Sequence, residues 1–166
     1  MKAQVRGEIG SRRAARENAV ELAYEQQMRG LDVETLLSER VLPPDDLTVE
    51  ILTSAEKHRA ASDRLIDEAS RHWDLHRMPV MDLTLLRMAV AELLDGETPV
   101  GVVIAETVYL TGLFSTEESS RFVNGILGTV SRNLGSGPAN DDAVATESAD
   151  PVTVEARQAE PGQTEP

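Results

Sequence analysis

The sequence predicts an all-α fold built as one domain, and three observations carry that reading. Apolar residues recur at three- and four-residue spacings through most of the chain. β-Branched residues seldom alternate with polar ones, and with only two phenylalanines, two tyrosines and one tryptophan the usual strand-formers are scarce. Gly30, Pro43-Pro44, Pro79, Gly96 and Pro99 fall between the periodic stretches, where they stop or start helices.

Ser11 is a plausible N-cap for a first helix, which carries the stripe Ala15, Ala19, Leu22 and Ala23 to Gly30 and leaves residues 1–10 as a flexible lead-in. A short helix is expected around Val33 to Val41, ending at Pro43-Pro44. A longer pattern runs from Asp46 through Leu52, Leu65 and Ile66 to Trp73, and a break near Ala60-Ala61-Ser62 would make it two helices. After Pro79, the segment Asp82 to Leu94 places Leu83, Leu86, Val90 and Leu93 on one face, while Leu85, Met88, Ala89 and Leu94 widen it. A helix that apolar is expected at the centre of the domain. Gly96 stops it. Thr98-Pro99 reads as an N-cap with proline at the first helical position, followed by Val100, Val103, Ile104 and Val108. Ser115 with Glu118 fits a capping box for a last helix that buries Phe122, Val123, Ile126, Leu127 and Val130 and ends near Leu134. Residues 135–166 open with Gly135-Ser136-Gly137-Pro138 and are poor in large apolar side chains, so they are read as a disordered acidic tail.

With 166 residues less that tail, the chain is long enough for one buried core. The absence of cysteine excludes disulfides and thiolate metal sites, and three histidines (His58, His72, His76) are few for a metal cluster, so no cofactor or metal is expected. No apolar run approaches the roughly 20 residues of a membrane span. No apolar segment follows the charged N-terminus as a secretory signal would require, and a cytoplasmic protein is expected.

The net charge of −13 argues against nucleic-acid binding until its distribution is considered. Residues 1–16 carry Lys2, Arg6, Arg12, Arg13 and Arg16 against Glu8 alone, a local charge of +4, whereas residues 135–166 carry −6. A concentrated basic patch is what phosphate contacts need. The same arginines on a merely solvated helix face are the competing reading.

Two blocks bear a family likeness. The first is Arg12-Arg13-Ala14-Ala15-Arg16-Glu17, followed by Ala19-Val20 and Tyr24. The second contains Leu86-Arg87-Met88-Ala89, Glu92-Leu93, Pro99, Ile104-Ala105-Glu106, Phe114 and the run Glu117-Glu118-Ser119-Ser120-Arg121-Phe122-Val123-Asn124-Gly125. In order and spacing, over residues 11–134, these resemble the NusB family of transcription antitermination factors. The chain departs from the family at Ala14, where many members have arginine, at Ala105, where they have asparagine, and at Gly112, where lysine is usual; each removes a polar or basic group.

The resemblance implies a helical bundle of about seven helices in two small sub-bundles, with no enzymatic activity. It implies binding to the boxA element of ribosomal RNA leaders as a heterodimer with NusE, a ribosomal protein of the small subunit, and action on RNA polymerase through other Nus factors. Arg12, Arg13, Arg16, Tyr24 and Phe122 would contact RNA, and Asp82 and Glu118 would lie at the partner interface. Family members differ in self-association, so a homodimer stays open.

Residue chemistry supports part of this: arginine pairs with phosphate and stacks on bases, and aromatic rings stack on unpaired bases. Each residue also has a plainer role. Phe122 lies on the apolar stripe of the last helix and Tyr24 on the flank of the first. Arg87 is expected to pair with Glu92 or a helix end, Trp73 to plug the junction between halves, and the helical glycine of Asn124-Gly125 to serve close packing. Asp67-Glu68 and Glu117-Glu118 lack the histidine partners of a metal or acid/base site. An adaptor for a basic protein partner, without RNA selectivity of its own, is the alternative function. RNA cytosine methyltransferases carrying a NusB-like domain are set aside because the chain is short and lacks a glycine-rich loop and cysteines.

Overall fold

The structure, a computed structural model, describes residues 2–71 and 73–135, with the side chains of residues 2–9 excepted. Seven α-helices make up the described residues: α1 (Lys2–Arg29), α2 (Val33–Ser38), α3 (Asp46–Lys57), α4 (Arg59–Ala69), α5 (Val80–Asp95), α6 (Val100–Phe114) and α7 (Glu117–Asn133), with one 3-10 turn at Leu75–Arg77. The expected tail lies outside the described residues except for Gly135.

Local chemistry sets most helix ends. Asp32, Asp45 and Thr116 sit in extended backbone and accept from the amides of Thr35, Thr48 and Ser119, satisfying donors that α2, α3 and α7 leave free. Gly96 closes α5 with φ of +70°, a left-handed conformation that glycine adopts without steric cost. Several boundaries differ from expectation, among them α2, which ends at Ser38 and not Val41, and α4, which ends at Ala69 and not Trp73. Helix α1 runs through Ser11 from Lys2, because no proline or cap residue interrupts the upstream stretch, and Ser11 is interior. The N-cap position of α6 is Pro99, one residue after Thr98. Thr116, not Ser115, caps α7, which frees the Ser115 hydroxyl for Asp82. The break between α3 and α4 falls at His58, whose ring nitrogen lies 2.9 Å from an Asp95 carboxylate oxygen.

Two cores share one helix. The first gathers α1, α2 and α3 around Val20, Leu36 and Leu52, and takes Leu85 and Met88 from α5 and Leu110 from α6. The second joins α4, α6 and α7 to the other side of α5 through Ile66, Leu86, Val90, Val103, Val123 and Leu127. Helix α5 is therefore buried nearly all round, which explains why its apolar face is too wide for a surface helix. The turn at His58 hands the chain from one core to the other, since α3 packs on α1 and α5 while α4 packs on α5 and α7.

Apart from Glu106 and its threonines, α6 is apolar on its outward as well as its inward side. Val103, Thr107, Leu110 and Thr111 point inward, yet Val102, Ala105, Tyr109 and Leu113 remain exposed. Trp73 does not plug the junction between halves; it is 56% exposed and meets Phe122 edge-on at 6.4 Å between ring centroids. Among the described residues, no helix is long and apolar enough to cross a membrane.

Candidate nucleic-acid interface

Arg12, Arg13 and Arg16 occupy just over one turn of α1, and packing gives them three different environments. Arg16 points inward, is 6% exposed and grips Glu92 of α5 with two hydrogen bonds of 2.7 and 3.3 Å. Arg13 reaches α6 and donates to both carboxylate oxygens of Glu106, at 2.6 and 2.9 Å. Its guanidinium carbon also lies 4.2 Å from the centre of the Tyr109 ring, within cation–π range. Arg12 is exposed and forms no ion pair among the described residues.

The hydrogen bonds and charge of Arg13, aided by the charge of Arg16, hold the Glu106 carboxyl below its ordinary value despite partial burial. The same contact raises Arg13 further above its ordinary value. Both groups stay ionised at neutral pH, so the pair is a fixed fork of charge-assisted bonds.

Arg12 opens onto a cleft of about 190 Å³ between α1, α3 and the α5–α6 turn. The opposite wall bears Glu50, Asp95 and Glu97. Within this cleft the arginine edge is the part that attracts phosphate, because the other charged groups lining it are carboxylates.

Two of the expected contact residues have buried side chains. Asp82 is 2% exposed, with one carboxylate oxygen accepting from Ser115 at 2.6 Å and the other from Ser119 at 2.7 Å. It ties α5 to the α6–α7 turn from inside and offers no side-chain surface to a partner. Arg16 is likewise largely buried, held against the partly buried carboxylate of Glu92 where the two border the Arg12 cleft. Of the others, Tyr24 sits at the surface of α1, 36% exposed. Phe122 is half-buried, packed against the second core with an edge on Trp73. Glu118 is exposed in the first turn of α7, next to the Glu117–Arg121 pair at 2.5 Å.

Arg87 pairs with Asp63 and Gln27 instead of Glu92, so Asp63 and Gln27 link α4, α5 and α1 through it. Asn124 and Gly125 are both exposed, and a Cβ added at Gly125 would meet nothing within 4 Å, which rules out close packing as the reason for that glycine. Sequence reasoning passes over Glu92, Glu106 and Tyr109 as site residues. The available signal is two glutamates on apolar helices in a chain whose arginines cluster on another.

A sequence profile of the NusB family matches residues 13–132. Curated relatives described as transcription antitermination protein NusB include that of Symbiobacterium thermophilum, 39% identical over 150 residues that cover 81% of this chain and 98% of the relative. The Thermobifida fusca protein is 42% identical over 123 residues, 71% of this chain and 87% of its own. Among solved structures, T. maritima NusB is similar with a TM-score of 0.65 and 29% identity, over 73% of this chain and 90% of that one. A chain of a crystal structure described as antitermination factors NusB and NusE in complex with dsRNA is similar with a TM-score of 0.60 and 25% identity, over 74% of this chain and 96% of that one. A profile match across most of the helical region, relatives at this identity and the two-core architecture agree: the chain belongs to the NusB family.

Proposed function

We propose that this protein is a transcription antitermination factor that binds boxA RNA of ribosomal RNA leaders together with NusE and acts on elongating RNA polymerase. The observation that carries the reading is the α1 arginine face, where Arg12 is exposed with no ion pair among the described residues and Arg13 is fixed beside an aromatic ring. In a molecule of net charge −13, an exposed arginine with no ion pair among the described residues, beside a helix whose one carboxylate is neutralised, gives a polyanion a local positive charge to meet. The similar structure of NusB and NusE with dsRNA supports both partners, and Glu118, exposed at the start of α7, is the proposed partner contact on this chain. Tyr24 and the exposed side of Phe122 are the other proposed RNA contacts.

Binding of a boxA oligomer and a scrambled control, with and without NusE, tests the reading in the wild-type chain and in Arg12→Ala and Arg13→Ala variants. Selective binding is expected to fall in both variants, and the dependence of log affinity on log salt is expected to flatten by about one for each phosphate that is no longer neutralised. Because Arg13 and Arg16 already have carboxylate partners, an adaptor role is the competing outcome: NusE would bind and boxA would not be preferred over the control.

A further inference from the structure

We propose that the outward face of α6, centred on Tyr109, is a stacking platform for unpaired bases of the bound RNA; the assignment rests on the RNA-binding reading above. Val102, Ala105, Tyr109 and Leu113 recur at spacings of three and four and form one exposed apolar stripe. A helix apolar on all sides is ordinarily enclosed on all sides, so this face is built to be covered.

Charge distinguishes among the candidates for the cover. Helix α6 has a single carboxylate in its 15 residues, Glu106, and Arg13 neutralises it. The stripe therefore adds no free negative charge while bordering a guanidinium, in contrast to the acidic wall across the Arg12 cleft. A purely apolar protein partner would have no use for that guanidinium, whereas a nucleotide has a flat base for the ring and a phosphate for the cation.

Tyr109 is 44% exposed, with Arg13 over one part of the ring at 4.2 Å. Because both oxygens of Glu106 hold the guanidinium, ring and cation form a rigid pair whose ordering cost is met before RNA arrives. Base–aromatic stacking tolerates any base, so the platform adds affinity for single-stranded RNA and leaves sequence choice to other contacts.

The test compares Tyr109→Leu, which keeps apolar area but removes the ring, with Tyr109→Phe, which keeps the ring, in the full chain with NusE present and a boxA oligomer as probe. Loss of one stacked base predicts that Tyr109→Leu binds roughly 5- to 150-fold more weakly at unchanged salt dependence, while Tyr109→Phe retains affinity. In a series of single abasic substitutions, one nucleotide should cost affinity with the wild-type chain and nothing with Tyr109→Leu. Selective wild-type binding that Tyr109→Leu leaves intact would overturn the platform and spare the RNA-binding reading. If the wild-type chain binds no RNA, both fall. Weakened NusE binding or self-association, with RNA affinity intact, would overturn the platform and make the stripe a protein interface.

Discussion

Arg13 and Arg16 lie three positions apart, and the same chemical pairing has different consequences because burial differs. Arg16 shares a largely buried fork with Glu92, so Arg16→Ala strands a carboxylate and is expected to destabilise the fold by about 3 kcal/mol in chemical denaturation. Arg13 is 39% exposed, solvent screens its pair with Glu106, and Arg13→Ala is expected to destabilise the fold far less than Arg16→Ala. RNA affinity should rank the other way once unfolded protein is accounted for, with Arg13→Ala the more damaging among molecules that remain folded. A further residue-scale expectation concerns Ser62, whose hydroxyl is fully buried without a hydrogen-bond partner among the described residues. Ser62→Ala should leave stability unchanged or raise it by about 1 kcal/mol; a clear drop in the melting temperature would reveal a partner.

At the scale of single helices, α7 shows where periodicity is informative and where it is not. Its stripe Val123, Ile126, Leu127 and Val130 is buried as the spacing predicts, because the period of a helix is a local property. Local pattern puts its cap at Ser115, one residue early, because Ser115 and Thr116 are both competent caps and only Asp82, far away in sequence, claims one of them. Thr116→Ala is expected to cost about 1 kcal/mol. Gly125→Ala should stabilise α7 by about 1 kcal/mol, since glycine is a poor helix former and the added Cβ meets nothing within 4 Å. If the same change lowers affinity for RNA or NusE, the bare backbone at Asn124-Gly125 itself touches a ligand; unchanged affinity for both would leave the glycine without a binding role.

For the molecule as a whole, α5 matters because both cores depend on it. Leu86→Ala should therefore cost about 2–5 kcal/mol, and the denaturant transition should stay single, because neither core closes without the shared helix. Unfolding in two separate steps would show the cores to be independent.

Acid should weaken the fold in a defined window. Hydrogen bonds from Arg29 and Arg40 lower Glu25, those from Thr35 and Thr48 lower Asp32 and Asp45, and Arg13 lowers Glu106. Burial pushes Asp95 up, but hydrogen bonds from Ser54 and His58 and the charges of His58 and Lys57 outweigh it. A carboxyl whose folded pKa is depressed contributes stability above its unfolded value and loses it as pH falls through the folded one. Melting temperature should therefore hold down to pH near the ordinary values, 4.5 for glutamate and 3.8 for aspartate, and drop below them. A melting temperature that is level down to pH 3 would contradict these pairings.

The sequence by itself determined the all-α class, the centrality of α5, most helix bodies and the +4 charge at the start of the chain. All of these depend on composition or on neighbours within a few positions, which the order of residues alone contains. Only the tertiary structure decided which arginine faces solvent, that Asp82 is internal, that Trp73 is exposed, and that Tyr109 lies under Arg13. The arginine outcomes turn on pairings across 93 positions for Arg13 and Glu106 and 76 for Arg16 and Glu92, and that of Asp82 on one across 37 with Ser119. Charge and helical period place a side chain on a face of its helix; which groups meet that face depends on how distant helices pack.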